Sequence, residues 1–144
     1  MIRATRNMLD FFERQGMKYS PDIETLKSGK DVVKVTYTGA NKEIIRFNIF
    51  VDPDEDNVAI RVWTIAKTLD ADQAAAVTLL LNDLNNNYRW YRWYLDDDRE
   101  VTASVDAVIT ADTIGAIVYE LVQRGVNIID ENYPKVMKAL WSDQ

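Results

Sequence analysis

Residues 31–67 decide the fold, and they read DVVKVTYTGANKEIIRFNIFVDPDEDNVAIRVWTIAK. Within this stretch three runs alternate apolar with polar side chains, and they are Asp31 to Thr38, Glu43 to Val51 and Val58 to Lys67. Alternation with a period of two is typical of a β-strand that buries one face. Short segments rich in glycine, asparagine and aspartate separate the runs, and these residues favour turns. The stretch therefore predicts three antiparallel strands joined by hairpin turns.

The second and third strands are each expected to have one apolar face and one mixed face. The apolar faces comprise Ile45, Phe47, Ile49 and Val51 in the second strand, and Val58, Ile60, Val62 and Thr64 in the third. The mixed faces comprise Arg46, Asn48 and Phe50 in the second strand, and Arg61, Trp63 and Ile65 in the third. We expect the apolar faces to cover the core, since burial of apolar surface drives folding.

On either side of this stretch the apolar residues recur with the period of a helix. Helices are predicted over Ala4 to Gln15, Asp72 to Asn86 and Asp112 to Trp141. Gly16 is a C-terminal stop, and Asp70 and Thr110 are predicted N-caps because their side-chain oxygens can accept from free amide groups. Pro134 should kink or divide the last helix, because proline lacks the amide hydrogen.

Three further segments are read as extended. Tyr19 to Leu26 is an edge strand or a loop, because it contains Pro21. Tyr88 to Leu95 and Glu100 to Val108 are predicted strands. The order α-β-β-β(-β)-α-β-β-α predicts an α+β fold in which helices pack on an antiparallel sheet. Residues 1–144 contain no linker or low-complexity tract, so we expect a single domain.

The composition excludes several kinds of partner and chemistry. The net charge of −6 argues against general nucleic-acid or anionic membrane binding, which both depend on clustered lysine and arginine. The chain contains no histidine and no cysteine, so thiol, imidazole and most transition-metal chemistry is excluded. We therefore expect no cofactor and no metal ion. We expect a cytoplasmic location, because the N-terminal residues do not resemble a secretory signal.

Two parts of the chain carry a resemblance to a known family. One is the strand pair Arg89 to Leu95 and Val101 to Asp106, and the other is the tail Ile129 to Leu140, which contains an aromatic–Pro–x–x–Met arrangement at Tyr133 to Met137. With the element order, these segments resemble the YbjN family of small bacterial proteins, whose fold is similar to type III secretion chaperones. The resemblance implies an α+β fold, often a dimer, a link to sensing or regulation, and no enzyme activity.

Two acidic turns are candidate metal sites. Asp52 to Asn57 places oxygen ligands at alternate positions, as a calcium loop does at its start. However, Asn57 and Trp63 stand where an EF-hand needs glycine and a bidentate glutamate, so we interpret the turn as a solvated hairpin loop. Asp96 to Asp98 is interpreted in the same way. A carboxylate-based enzyme would require two acids to converge in one pocket, and nothing in the spacing places them together.

Aromatic and arginine side chains on the predicted strands are the candidate site. If Tyr88 to Leu95 is a regular strand, Tyr88, Trp90, Arg92 and Tyr94 share one face. The residues that this face could bring together are Arg46, Phe50, Arg61, Trp63, Trp90, Arg92 and Tyr94. Tryptophan, tyrosine and arginine are enriched at protein interfaces. The alternative is cross-strand packing alone, with arginine stems lying across rings.

The predicted helix Asp72 to Asn86 is a second candidate for self-association, because its apolar stripe is wider than one buried side requires. Together these features favour a non-catalytic, chaperone-like or regulatory protein that binds an unknown protein partner and forms a homodimer. The alternative is a small-molecule sensor that binds its ligand between sheet and helices.

Overall fold

A computed structural model describes residues 1–141 of the chain. The elements in this part are α1 Arg3–Gln15, β1 Glu24–Thr25, β2 Asp31–Tyr37, β3 Ile45–Val51, β4 Asn57–Lys67, α2 Ala71–Asn87, β5 Arg92–Leu95, β6 Glu100–Val108 and α3 Ile114–Trp141. This order confirms the predicted α+β fold. Two predicted caps are also confirmed, because the Asp70 carboxylate accepts from the Gln73 amide at 2.8 Å and Gly16 ends α1 with a φ of 74°.

The strands form one antiparallel sheet in the order β1-β2-β3-β4-β6-β5. The segment Tyr19 to Leu26 is mostly loop, and only β1 within it pairs with β2. The aromatic strand is shorter than predicted, because Tyr91 adopts a φ of 68° and pairing starts at Arg92. Strands β4 and β6 are neighbours although α2 and β5 separate them in sequence, so β5 lies at the edge.

The helices pack against one face of the sheet, and the predicted apolar faces point towards them. Ile45, Phe47, Ile49 and Val51 of β3 and Val58, Ile60 and Val62 of β4 are all buried. The prediction for the end of β4 was wrong, since Ile65 is buried and Thr64 is exposed. Between Val62 and Ala66 the register of β4 shifts against β6, and Thr64 adopts a φ of 53°. This β-bulge breaks the alternation on which the prediction depended.

Two carboxylates that are distant in sequence satisfy amide groups at the start of α1. The Ile2 amide donates to Asp31 at 2.8 Å, and the Ala4 amide donates to Glu55 of the acidic β3–β4 turn at 2.7 Å. Burial raises the pKa of Asp31, but hydrogen bonds from the Thr25 hydroxyl and the Ile2 amide outweigh burial, so the pKa lies below its usual value. The negative charge of both groups also suits the positive end of the helix dipole.

Tyr91 ties the long helix α3 to the sheet. Its hydroxyl is buried and donates to the Leu121 carbonyl at 2.6 Å, and its ring lies 6.4 Å from the ring of Phe47. Burial raises the pKa of Tyr91. Gly125, one turn along α3 from Leu121, leaves room for the ring, because a Cβ there would lie 2.5 Å from the tyrosine oxygen.

A second tie joins α3 to the β2–β3 loop, at Asp130. Its carboxylate accepts from the amides of Lys42 and Asn41 at 2.8 Å and from that of Ala40 at 3.1 Å. Gly39 is required beside it, because a Cβ there would overlap the same carboxylate. These hydrogen bonds lower the pKa of Asp130, and the bond from the Lys42 amide has the largest effect.

Pro134 was expected to kink or divide the last helix, and it does not divide it, because α3 runs continuously from Ile114 to Trp141. A residue with an amide hydrogen at position 134 would donate to the carbonyl of Asp130, four residues earlier. In its place the Asn41 side-chain amide donates to that carbonyl at 3.1 Å. The β2–β3 loop therefore satisfies the group that proline leaves free.

We expect Gly125→Ala to lower the free energy of unfolding by about 1–3 kcal/mol, because the added methyl group overpacks Tyr91 and Phe47. Alanine ordinarily stabilises a helix relative to glycine by about 1 kcal/mol, so the sign of the change is diagnostic. Urea unfolding measures it, with Asn127→Ala on the exposed side of α3 as the control. A variant at least as stable as the original chain would contradict the packing described for Tyr91.

We expect Asp130→Asn to destabilise the fold at neutral pH, because the uncharged amide is a weaker acceptor for the loop amides. The folded pKa of Asp130 is lowered, so its contribution is present above about pH 4 and is lost as the pH falls through the folded value. Thermal unfolding between pH 2 and 7 should therefore show the variant and the original chain converging at low pH. Asp83→Asn on α2 is the control, and a constant gap across this range would contradict the assignment.

Candidate functional site

The face of the sheet opposite the helices carries six of the seven predicted site residues. We call this the open face and define it by the following residues: Arg46, Phe50, Arg61, Trp63, Arg92 and Tyr94. The register explains the grouping, since Asn48 lies opposite Arg61 and Ser104 lies between Arg61 and Arg92. Residues directly opposite each other in a sheet share a face, so the strand pairing places these side chains on one surface.

Trp63 is the large apolar side chain of this surface, and 49% of it is exposed. Its ring meets that of Phe50 at 5.8 Å in an edge-on arrangement with an interplanar angle of 64°. Such pairs contribute about 0.5–1.5 kcal/mol beyond the burial of area. The indole is therefore held in one position while about half of it faces solvent.

Two of the three arginines of the open face, Arg61 and Arg92, contact neighbouring groups. Arg61 donates to the Asp106 carboxylate at 2.6 Å and to the Ile60 carbonyl at 3.0 Å. The guanidinium of Arg92 lies 5.6 Å from the centre of the Tyr94 ring. The Arg61–Asp106 bond joins β4 to β6 and is cross-strand packing, the alternative that the sequence offered, whereas the Arg92–Tyr94 contact lies within β5.

Trp90 is not part of the open face, and its inclusion in the predicted surface was wrong. Tyr91 has a positive φ, so the alternation that would align Trp90 with Arg92 is broken. Trp90 lies instead on the helix side, where the Arg124 guanidinium of α3 is 5.3 Å from its ring. Its neighbours there include Val105 and Ile117.

A basic groove borders Trp63 on the open face. It has a volume of about 620 Å³, and three cationic side chains line it, namely Lys34, Lys42 and Arg46. Burial lowers the pKa of Lys42, whose ammonium also lies 5.1 Å from the Tyr133 ring. The sequence prediction included Arg46 but missed the two lysines. The position of Lys34 on the polar side of its strand was the available signal, since it alternates with Val33 and Val35.

On its other side Trp63 borders an acidic cavity of about 470 Å³, with Asp96, Asp97, Asp98 and Glu100 around it. The Asp96 carboxylate accepts from the Asp98 and Glu100 amides at 2.9 and 3.1 Å, as the turn interpretation predicted. The Glu100 carboxylate accepts from the Thr64 hydroxyl at 2.6 Å. Among residues 1–141, no group of three or more acidic side chains is placed to hold a metal ion.

Side chains fill the interior between sheet and helices, where the sensor alternative places a ligand, and an apolar groove lies at its edge between β6 and α3. The largest of them belong to both layers, and they include Phe12, Phe47, Trp93, Leu84 and Ile129. The two cavities beside Trp63 open on the outer surface of the sheet instead. The arrangement therefore favours recognition at the surface.

None of the helices in the described part of the chain has both the length and the apolar character needed to cross a membrane.

Comparison with known proteins gives one family and a similar solved structure. No curated protein matches the chain. The crystal structure of the Yersinia pestis type III secretion chaperone SycH in complex with a stable fragment of YscM2 is similar, with 14% identity and a TM-score of 0.49. The match covers 87% of this chain and 98% of that chain.

The family model for YbjN, described as "Putative bacterial sensory transduction regulator", matches residues 8–136. The match contains both segments on which the sequence resemblance depended, apart from the last residues of the tail. The chain belongs to the YbjN family.

Proposed function

We propose that the chain is a non-catalytic regulator that acts by binding another protein, and that the open face is its docking surface. The single observation that carries this proposal is Trp63, a half-exposed indole held against Phe50 between a basic groove and an acidic cavity. Membership of a family described as transduction regulators supports a regulatory role. The molecular partner is a protein, because the surface combines aromatic, cationic and anionic groups over several strands.

The ordered state of the open face favours tight docking. A side chain that is already fixed loses little conformational freedom on binding, and immobilising a mobile one costs about 0.5–1.5 kcal/mol. Trp63 is fixed by Phe50, and Arg61 is fixed by Asp106 at 2.6 Å. The surface is therefore organised before a partner arrives.

Three acidic side chains of the same face support a non-catalytic role. Asp106 pairs with Arg61, Glu100 accepts from Thr64 and lies 3.8 Å from Lys67, and Asp96 accepts from amides of its own turn. Each has a structural partner, whereas acid–base catalysis needs groups whose environments push their pKa values apart in a shared pocket.

We also propose a homodimer that uses α2. This helix buries Val77, Leu81 and Leu84 against the rest of the chain, yet Leu79 on it is 77% exposed. Leu69, just before the helix, is 71% exposed. Two large apolar side chains exposed on and just before one helix support an association surface there. We further propose that the protein acts in the cytoplasm, since a chain without cysteine needs no oxidising compartment.

We expect a photo-crosslinking amino acid placed at position 63 to join the protein to a discrete partner when the chain is produced in bacterial cells. The matched control is position 141, because Trp141 is also exposed but lies at the end of α3. Adducts at position 63 that are absent at position 141, identified by mass spectrometry, would support the open face. No adduct at position 63, or the same adducts at both positions, would contradict it.

The companion variant Trp63→Ala separates docking from packing. It removes the ring contact with Phe50, so we expect a loss of about 1 kcal/mol in unfolding free energy. Capture of the crosslinked partner should fall about tenfold or more, as for a central interface residue. If partner capture were unchanged while stability fell, Trp63 would have only a packing role.

We expect Leu79→Glu to weaken self-association about tenfold or more, because an exposed leucine that becomes buried between subunits contributes about 1.5–3 kcal/mol. Sedimentation velocity over a range of concentrations measures this. Ser28→Glu in the exposed β1–β2 turn adds the same charge at a remote position and is the control. A chain that sediments as a monomer before any substitution would refute the dimer.

A further inference from the structure

Strand β6 extends beyond its partner at the edge of the sheet. On one side it pairs with β4 as far as Val108, opposite Asn57. On the other side β5 pairs only with residues Val101 to Ser104. Within residues 1–141, the last four residues of β6, Val105 to Val108, therefore have a strand partner on one side alone.

The hydrogen-bonding groups at this edge can be assigned from one bond. The Ile109 amide donates to the Asp56 carbonyl at 3.1 Å, which continues the ladder between β6 and β4. In an antiparallel strand, successive residues direct their amide and carbonyl groups to opposite sides. Residues 105 and 107 therefore face β4, and the amide and carbonyl groups of Asp106 and Val108 face the unpaired edge.

An apolar groove of about 400 Å³ runs beside the same edge on the helix side of the sheet. Its apolar walls are Val105 and Ala107 of β6, Ile117 and Leu121 of α3, and Trp90. Trp90 is 40% exposed and Val108, at the end of the strand, is 86% exposed. Free backbone groups and an apolar groove thus adjoin each other.

The fold itself leaves the edge of β6 unpaired at Val105 to Val108, because Tyr91 prevents the preceding residues from extending β5. Its positive φ turns the chain away from β6, and its hydroxyl is bonded to Leu121 of α3. The residue before it, Trp90, becomes a wall of the groove instead of a strand residue. An incoming strand would therefore continue the line of β5 along β6.

The charged groups at the rim already have partners within the chain. Asp106 is bonded to Arg61 at 2.6 Å, and Glu120 is bonded to Arg124 at 2.9 Å. A highly charged occupant would gain little from them, whereas apolar side chains would be removed from water by Trp90 and Ile117. The chemistry of the groove favours an extended, uncharged and apolar segment.

A second copy of this chain would fit poorly at the same place. In such a dimer the β6 edges of the two copies would pair, and the helices of both copies would lie on the same side of the joined sheet. Each copy would then place its Val105 and Ala107 at the groove of the other copy. These two side chains are small and already line a groove of about 400 Å³ in their own subunit. The space beside Ile117 and Leu121 would stay largely unfilled, which loses contact energy.

We propose that Val105 to Val108 of β6 is a site for strand addition, at which an extended segment of another protein pairs with Asp106 and Val108. The segment places larger apolar side chains at alternate positions in the groove and polar side chains on the opposite side. Main-chain bonds supply affinity in this mode and the groove supplies selectivity. The site lies on the helix side of the edge, apart from Trp63, and does not depend on docking at the open face.

The probe is a labelled peptide of about seven residues that alternates threonine with valine, isoleucine and phenylalanine. The control peptide has the same composition with its apolar residues consecutive. Fluorescence anisotropy measures binding to the full chain, and hydrogen exchange by NMR measures each amide. We expect the alternating peptide to bind and to slow exchange at Asp106 and Val108. Val105 and Ala107 amides should be slow in its absence, since they face β4.

The matched variants are Val108→Pro and Ile117→Ala. Proline is tolerated at an edge position whose amide faces outwards, so Val108→Pro removes one bond to the peptide and none to β4. We expect each variant to weaken the peptide about fivefold to tenfold, the equivalent of one lost hydrogen bond or a lost apolar contact. Trp63→Ala should leave peptide affinity unchanged.

Several results would overturn the proposal. Equal binding of both peptides, or no binding at millimolar concentration, would exclude recognition by strand addition. Binding that persists in Val108→Pro and is lost in Trp63→Ala would place the peptide on the open face. A dimer of the original chain that Val108→Pro converts to a monomer would identify a second copy as the occupant. Of these results, only the effect of Trp63→Ala on peptide binding also concerns the docking surface proposed on the open face.

Discussion

The buried hydroxyl of Tyr91 is the contact on which the arrangement of the layers depends. A hydroxyl taken out of water needs a hydrogen-bond partner, and the Leu121 carbonyl of α3 supplies it at 2.6 Å. The ring then occupies the space that Gly125 leaves open, beside Phe47 of β3. This fixes where α3 crosses the sheet, and α1 and α2 pack in turn against α3. The same residue, through its positive φ, decides where β5 begins.

Because the helices cover one face, the sheet has to shield its other face with its own side chains. Asn48, Thr102 and Ser104 on that face are buried although no helix lies over them. The strand pairing places Arg61 between Asn48 and Ser104 and Tyr94 beside Thr102, so larger side chains flank the small polar ones. Packing and docking are therefore not competing descriptions of these residues, since the contacts that bury the small polar groups also hold the large ones in place.

The sequence predicted most of the fold because alternation reports directly which face of a strand is buried. Six of the seven site residues share a face for the same reason. Alternate residues of a strand point to the same side, and regular pairing aligns the sides of neighbouring strands. The failures occurred where the backbone departs from regularity without glycine to mark it. Thr64 and Tyr91 adopt positive φ values, which are uncommon for residues other than glycine and so could not be predicted from the residue types. Their strain is sustained by contacts far away in the sequence.

Pro134 shows a different limit of local reasoning. The missing amide was visible in the sequence, but its compensation by Asn41 was not, because the two residues lie 93 positions apart and meet only when the β2–β3 loop folds against α3. The two lysines of the basic groove were missed for a related reason. A lysine on the polar side of a strand is ordinary until the neighbouring strands place other cations beside it.

The separation of charge on either side of Trp63 gives the open face a direction. Lysines and an arginine gather towards β2 and β3, and aspartates and a glutamate gather at the β5–β6 turn. The resulting dipole lies across the strands and would rotate an approaching partner before contact, over a distance of about 8 Å at physiological ionic strength. The chain has no histidine or cysteine, the side chains whose ordinary pKa lies closest to neutrality. The orienting field therefore varies with the salt content of its surroundings much more than with modest changes in their acidity.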